Sequence, residues 1–217
     1  MSGPGRAPVE WADRERRKAR KGVRRKVLAW AGLNPAAKRA DNLMARAKHG
    51  AVGEEWTAAL LAQLPAGWVV FHGRKLPGFA NDYDHVLVSP CGTAVVTLDS
   101  KRWNAGIETA LVRGRVCCGR EDRHKQVTAV ARYAARLERA LNLPGVQVLP
   151  LLVVHGSRVR GGFLSARVRV HGWDGVVHVL GPEYLVPTLV AAPKGVHAGR
   201  AAALAAHVDR VLPAGSG

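Results

Sequence analysis

The chain is poor in cysteine, in acidic residues and in long apolar runs, and each shortage excludes something. Three cysteines, Cys91 and the adjacent Cys117 and Cys118, cannot build a disulfide framework across 217 residues, and no C-x-x-C is present to bind zinc or exchange dithiols. A reducing, cytoplasmic setting is therefore expected. The nine histidines contain no H-E-x-x-H arrangement, so a histidine-built metal site is not expected. No apolar run approaches the roughly 20 residues that a helix needs to cross a bilayer. The twin arginine Arg24-Arg25 ahead of a short apolar stretch has the look of an export signal. That stretch ends at Asn34-Pro35, lacks a small-residue cleavage site and runs on into Lys38 and Arg39, which favours a basic helix docked on the body.

Only 16 Asp and Glu stand against 33 Lys and Arg, giving a net charge of +17 and a pI near 11.0. Such an excess points to a polyanionic partner, nucleic acid first and an anionic membrane surface second. It is unevenly spread. Residues 1–48 hold 14 Lys and Arg against four acids, a net of +10. Residues 1–9 are rich in Gly and Pro. From Glu10 to about Ala31 the composition is helix-forming with a dense basic face, broken at Gly22. Arg16, Arg17, Lys18, Arg20, Lys21, Arg24 and Arg25, with Arg102 further on, are the candidate phosphate contacts. A charge run of this kind can also be no more than a solvated face.

Length allows one sizeable core with extensions. A second helical region is expected over about 37–64, interrupted at Gly50 or Gly53, with apolar residues on two faces. Strands are expected at 67–75, 82–89, 93–101 and 145–155, and a helix at about 120–142 carrying the stripe Val127, Val130, Ala131, Ala134, Leu137 and Leu141. A hairpin fits "TALVRGRVCC". Two more strands fit "ARVRVHG" and "GVVHVLG", followed by a helix opened by Pro182 and an amphipathic C-terminal helix. The core order is α, β, β, β, α, β. The parts are a basic, partly disordered helical arm at 1–42, a central domain at 43–180 and a helical extension at 181–217 packing on it.

The stretch from Asn81 to Trp103 carries charges inside two runs that read as buried strands, Asp82 and Asp84 in the first and Asp99 and Lys101 in the second. Burying an unpaired charge costs several kcal/mol, on the order of what one domain has to spare. If the two runs form a hairpin whose paired residue numbers sum to 181 or 183, all four side chains share one face, and a sum of 183 sets Asp84 directly opposite Asp99. An even sum would separate them. Clustered carboxylates need a cation between them, and an oxygen-only cluster suits Mg²⁺ or Mn²⁺ better than zinc. A lysine two residues beyond a metal-binding carboxylate can hold or help deprotonate an attacking water, which suggests phosphodiester hydrolysis. Asp99 and Lys101 could instead be a structural ion pair, Asp82 a cap at the start of its strand, and His85 a satisfied core histidine. Helix phase leaves Glu54 and Glu55 both open as the inward carboxylate.

An Asp followed by D-x-K on strands two and three of an αβββαβ core resembles the PD-(D/E)xK nucleases. More closely, Gly53-Glu54, Asn81-x-x-Asp84-His85, Pro90-x-Gly92, Asp99-x-Lys101 with Trp103 and Gly106, and Gln126 on a helix resemble the nuclease-related domain, NERD, over about residues 48–155. The resemblance implies a restriction-endonuclease-like α+β fold with a mixed sheet. It implies Asp84, Asp99 and the Ser100 carbonyl as ligands of Mg²⁺ or Mn²⁺, and Glu54, favoured over Glu55, completing the metal or water shell. Lys101 would activate water and Gln126 would orient the lysine or a phosphate. Tyr83 stands where an apolar residue is usual, and Asp99 where glutamate is common. The function expected is a metal-dependent nuclease acting on nucleic acid, with DNA favoured over RNA. The rival is a non-catalytic nucleic-acid-binding module on the same scaffold, and membrane association through residues 10–31 is a third reading.

Overall fold

In the computed structural model, which describes residues 6–19, 21 and 35–214, the expected order of elements is present with additions. Helices α1 (Arg6–Ala19) and α2 (Pro35–Leu61) precede strands β1 (Val69–Lys75), β2 (Asp82–Val88) and β3 (Ala94–Arg102). Next come the short strands β4 (Thr109–Val112), β5 (Arg115–Cys118) and β6 (Glu121–Asp122), then helix α3 (His124–Leu141) and strand β7 (Gln147–His155). The hairpin β8 (Phe163–Val170) and β9 (Trp173–Leu180) leads to α4 (Pro182–Ala191) and α5 (Ala198–Val211). The main sheet runs β1-β2-β3-β7-β9-β8, and β4-β5-β6 form a separate small sheet. β3 and β7 pair in parallel across the α3 crossover while β1-β2, β2-β3 and β8-β9 are antiparallel, so the fold is α+β with a mixed six-stranded sheet, consistent with a restriction-endonuclease-like core.

The side-chain period of two sorts the strands onto two covered faces. Val86, Val88 and Val95 pack with Ala134 and Leu137 of α3 and Leu204 of α5, whereas Leu87, Val96 and Leu98 pack with Leu61 of α2 and Leu185 and Leu189 of α4. β7 is apolar from Val148 to Val154 because it serves both sides, Leu152 and Val154 on one and Leu151 and Val153 on the other. The stripe read from α3 is buried as expected, and the helix ends at Asn142 in the left-handed region.

Three expectations change. α2 is unbroken through Gly50 and Gly53, and it starts at Pro35, whose fixed φ suits a first helical turn. The boundary expected between residues 42 and 43 therefore falls inside a continuous helix. α1 lies against α2, with Ala12 and Ala40 buried there. The second half of the helix expected over 10–31, with its break at Gly22, and the candidate contacts Arg20, Arg24 and Arg25, lie outside the described residues. The 104–120 segment holds the expected hairpin, and β6, a two-residue strand too short to leave a period in the sequence, follows it and pairs with β5.

The C-terminal end of the β3–β7 pair is locked by the Trp103 N–H donating to the His155 carbonyl at 2.9 Å. Gly156 follows with φ +86, and a Cβ on it would strike the Trp103 carbonyl oxygen. Gly156→Ala is expected to lower stability by about 2 kcal/mol or more, from backbone strain and displacement of that carbonyl together. Urea unfolding against the wild type checks it.

Candidate active site

β2 and β3 pair in the register His85↔Leu98, the sum of 183 that brings Asp84 opposite Asp99. Regular pairing stops at that pair, leaving Asp82 and Asp84 ahead of the ladder and Asp99 to Arg102 beyond it. The Ser100 N–H, which a continuing ladder would give to a β2 carbonyl, donates instead to Asp84 Oδ2 at 3.0 Å. Three more contacts radiate from this point. Lys101 Nζ donates to the Ser100 carbonyl at 3.1 Å, Lys101 Nζ lies 2.5 Å from Asp99 Oδ2, and the Ser100 hydroxyl donates to Thr57 Oγ1 at 2.8 Å.

Asp99 is pushed up to about 6, because burial disfavours its charge; Lys101 opposes this, while Asp84 adds to it by charge and by hydrogen bonding to the protonated form. Lys101 is pushed upward: burial lowers it, but Asp99, Asp84 and Glu54 outweigh that and keep the ammonium charged. The pair is not sealed, since the Lys101 side chain remains 35% exposed against 15% for Asp99. Glu54 is half-buried and close enough to act on that ammonium, while Glu55 is exposed. Helix phase thus resolves in favour of Glu54.

Asp82, Asp84 and Asp99 line a small cavity of about 10 Å³ closed by Val130 and Tyr133 of α3. Asp82 Oδ1 is buried there without a hydrogen bond, so that oxygen is not serving as a cap at the start of the strand. Tyr133 is pushed up, by burial first and then by Asp99. Its spacing of seven from Gln126 puts both on one helix face, which is the signal in the sequence for its place here. Gln126 Oε1 accepts the Trp103 Nε1–H at 2.8 Å, which anchors Trp103 to α3.

Behind β3 lies a buried polar chain that no local pattern announces. Thr57 Oγ1 accepts from the Ser100 hydroxyl at 2.8 Å and lies 2.7 Å from His155 Nε2, so the three side chains form one hydrogen-bonded chain. His155 is pushed down, chiefly by burial and then by Arg102. His85, expected as a satisfied core or partner histidine, has its Nδ1 2.8 Å from Nδ1 of His72 and its ring also interacts with the Glu54 backbone, although its Nε2 makes no well-directed hydrogen bond.

Of the candidate phosphate contacts, Arg16 pairs with Asp41 at 2.7 Å, Arg17 with Asp13 at 2.6 Å and Lys18 with Glu15 at 2.9 Å. Part of the basic face is therefore neutralised within the protein, while Lys21 is exposed. Arg102 points away from Lys101, its guanidinium 5.0 Å from the centre of the Trp56 ring.

The donors suit a hard divalent ion in kind, being oxygens only: Asp84, Asp99 and the Ser100 carbonyl. Asp99 Oδ2 is buried and makes no properly directed hydrogen bond, although the lysine stands beside it. The ammonium supplies the positive charge there, and a metal ion would have to compete with it. Among the described residues no three His, Cys, Asp or Glu side chains converge into a metal-binding group, so Glu54 does not form a ligand triad with the two aspartates in this arrangement.

Residues 49–155 match the family model of the nuclease-related domain, NERD. No curated protein and no solved structure matches the chain. Among the described residues no helix is long and apolar enough to cross a membrane.

Two outcomes follow from this geometry. Thr57→Val keeps the shape but strands both Ser100 Oγ and His155 Nε2, and is expected to cost about 2–4 kcal/mol, measured by chemical denaturation. His85 is held down to about 3 by burial first and His72 second, against an ordinary 6.5. The unfolded chain thus binds a proton that the folded one refuses between those values, so stability falls as pH drops from about 6.5 towards 3, by a few kcal/mol. Asp99 acts oppositely between about 3.8 and 6. Unfolding of the wild type and of His85→Met across this range separates the two: the wild type is expected to lose stability more steeply.

Proposed function

We propose that this chain, which carries a nuclease-related domain across residues 49–155, hydrolyses phosphodiester bonds of nucleic acid, DNA in preference to RNA, in a divalent-metal-dependent reaction. The observation that carries this reading is the gathering of Asp84, Asp99, Lys101 and the Ser100 carbonyl at one opened strand end. Charge at such a cost inside a sheet is hard to justify by stability alone.

Asp84, Asp99 and the Ser100 carbonyl would hold Mg²⁺ or Mn²⁺, which when bound supplies electrostatic stabilisation of charge on the scissile phosphate. Lys101 keeps its proton, so it serves as a donor and a counter-charge, not as the base that the resemblance would allow. Released from Asp99, its Nζ can orient a water by hydrogen bonding and neutralise a phosphate oxygen. The water's proton then has to pass to a carboxylate. Glu54, which acts on the same ammonium, helps to keep it charged and aimed. Gln126 acts at one remove, steadying Trp103 two residues beyond the lysine.

The net charge of +17 supports a nucleic-acid partner bound through its backbone without base reading. Arg136 over the Phe79 ring at 4.6 Å adds an arginine beside Tyr83, near the carboxylates. The free cysteines fit a cytoplasmic setting.

A second reading, a binding module without chemistry, has one observation in its favour: Lys101 is closed onto Asp99 where an ion would sit. Cleavage of linear and circular DNA and of RNA with Mg²⁺ or Mn²⁺ separates the two. The wild type is expected to cut, and Lys101→Ala to cut about 100-fold or more slowly while melting normally. Equal cleavage by Lys101→Ala, or salt-sensitive binding that survives EDTA with no turnover, would overturn the enzymatic reading.

A further inference from the structure

At the opposite end of the sheet from Lys101, the first residues of β3 and β7 and the helices α4 and α5 enclose a cleft of about 520 Å³, within the size range of small-molecule sites. Val96, Leu149, Leu151 and Leu189 belong to the face covered by α2 and α4, whereas Asp84 and Asp99 face α3. Ala94 lies in the cleft, five residues before Asp99, about 16 Å along the strand. The cleft is therefore separate from the candidate active site in both face and position.

Its walls are mostly apolar, with the rings of Trp68 and Phe163 among them. One corner is polar and rigidly built. The Cys91 thiol sits 3.1 Å from both Ser89 Oγ and Thr93 Oγ1, and the His197 N–H donates to the Pro90 carbonyl at 2.9 Å. Gly92, at φ +67, lets this turn press against α5; a Cβ there would lie 2.6 Å from the Ala201 nitrogen and the Arg200 carbonyl carbon. The backbone that presents Arg200 is thus locked in place. Arg200 and Lys194 supply the only full charges in the lining, no Asp or Glu is among its residues, and among the described residues neither cation has an ion-pair partner. An apolar hollow edged by two unpaired cations complements a ligand with an apolar body and one anionic head.

We infer that this cleft binds a small amphipathic organic anion, its acid group at Lys194 and Arg200 and its carbon body against Leu149, Leu151 and Phe163. The occupant is a free small molecule and not a segment of nucleic acid, because a sugar-phosphate chain would leave these apolar walls without a partner.

The probe is 8-anilinonaphthalene-1-sulfonate, an aromatic body with a single sulfonate, titrated by fluorescence and calorimetry into the folded full chain. Saturable one-to-one binding is expected. It should weaken about tenfold or more in the pair Lys194→Glu with Arg200→Glu, both exposed positions whose exchange leaves the core alone, and in Ala192→Trp, which fills the mouth. Bound probe should also slow alkylation of Cys91, followed by peptide mapping, without protecting Cys117. Displacement by decanoate identifies an aliphatic carboxylate and displacement by phenyl phosphate an aromatic phosphate; either supports the site. Absence of saturable binding, or equal binding by the charge-reversed and mouth-filled variants, overturns it, and neither result depends on nuclease activity.

Discussion

A backbone N–H that has lost its place in a ladder has to be satisfied, and at Ser100 a carboxylate takes it. The Asp84–Ser100 bond is the contact from which the candidate centre is organised. It holds Asp84 across the strand end where β2 and β3 part, and it fixes the Ser100 peptide so that its carbonyl meets Lys101. The serine hydroxyl, on the other side of the strand, is tied to Thr57 and through it to His155. One residue between Asp99 and Lys101 therefore joins both faces of the sheet. Its positions are over-determined by three hydrogen bonds, which is the condition for keeping charged neighbours in a defined arrangement.

The electrostatics follow from that arrangement. Asp99 resists ionisation because it is buried near a second carboxylate, and Lys101 resists deprotonation because three acids surround it. One ammonium among three acids makes this a locally acidic spot within a protein of strongly positive overall charge. The histidines nearby stay out of this exchange: His85 and His155 are both held neutral by burial, and their roles are packing and hydrogen bonding. A candidate centre that looks rich in titratable groups is in this sense built from acids and one lysine.

Much of the fold was legible because it rests on local periodicity. The α3 stripe, the unbroken apolar run of β7 and the alternation in β2 and β3 each express one element's burial, and each was readable from spacing. The same alternation puts Asp99 and Lys101 on one face of β3, and Asp84 joins them because the register sum is 183. The bond between Trp103 and Gln126 was not legible, because the two are 23 residues apart and the helix has to be docked before that bond exists. Thr57 and His155 are 98 residues apart, and nothing in either neighbourhood marks the pair. The basic arm misled in part, because Asp41, which neutralises Arg16, comes from a different helix.

The amino-acid sequence by itself determined the element order and which side chains of each strand share a face, since these follow from side-chain alternation and helical period; the register that brings Asp84 to Asp99 came from the fold. It also determined the basic character of the chain. Only the tertiary structure decided which of two adjacent glutamates turns inward, that the β2–β3 ladder stops short and lends a backbone donor to Asp84, and that Lys101 closes onto Asp99. It alone assembled the apolar cleft at the far end of the sheet. The reason is the same in each case: these features depend on the distance between segments remote in the chain, and that distance is set by how two covered faces pack, which no local pattern encodes.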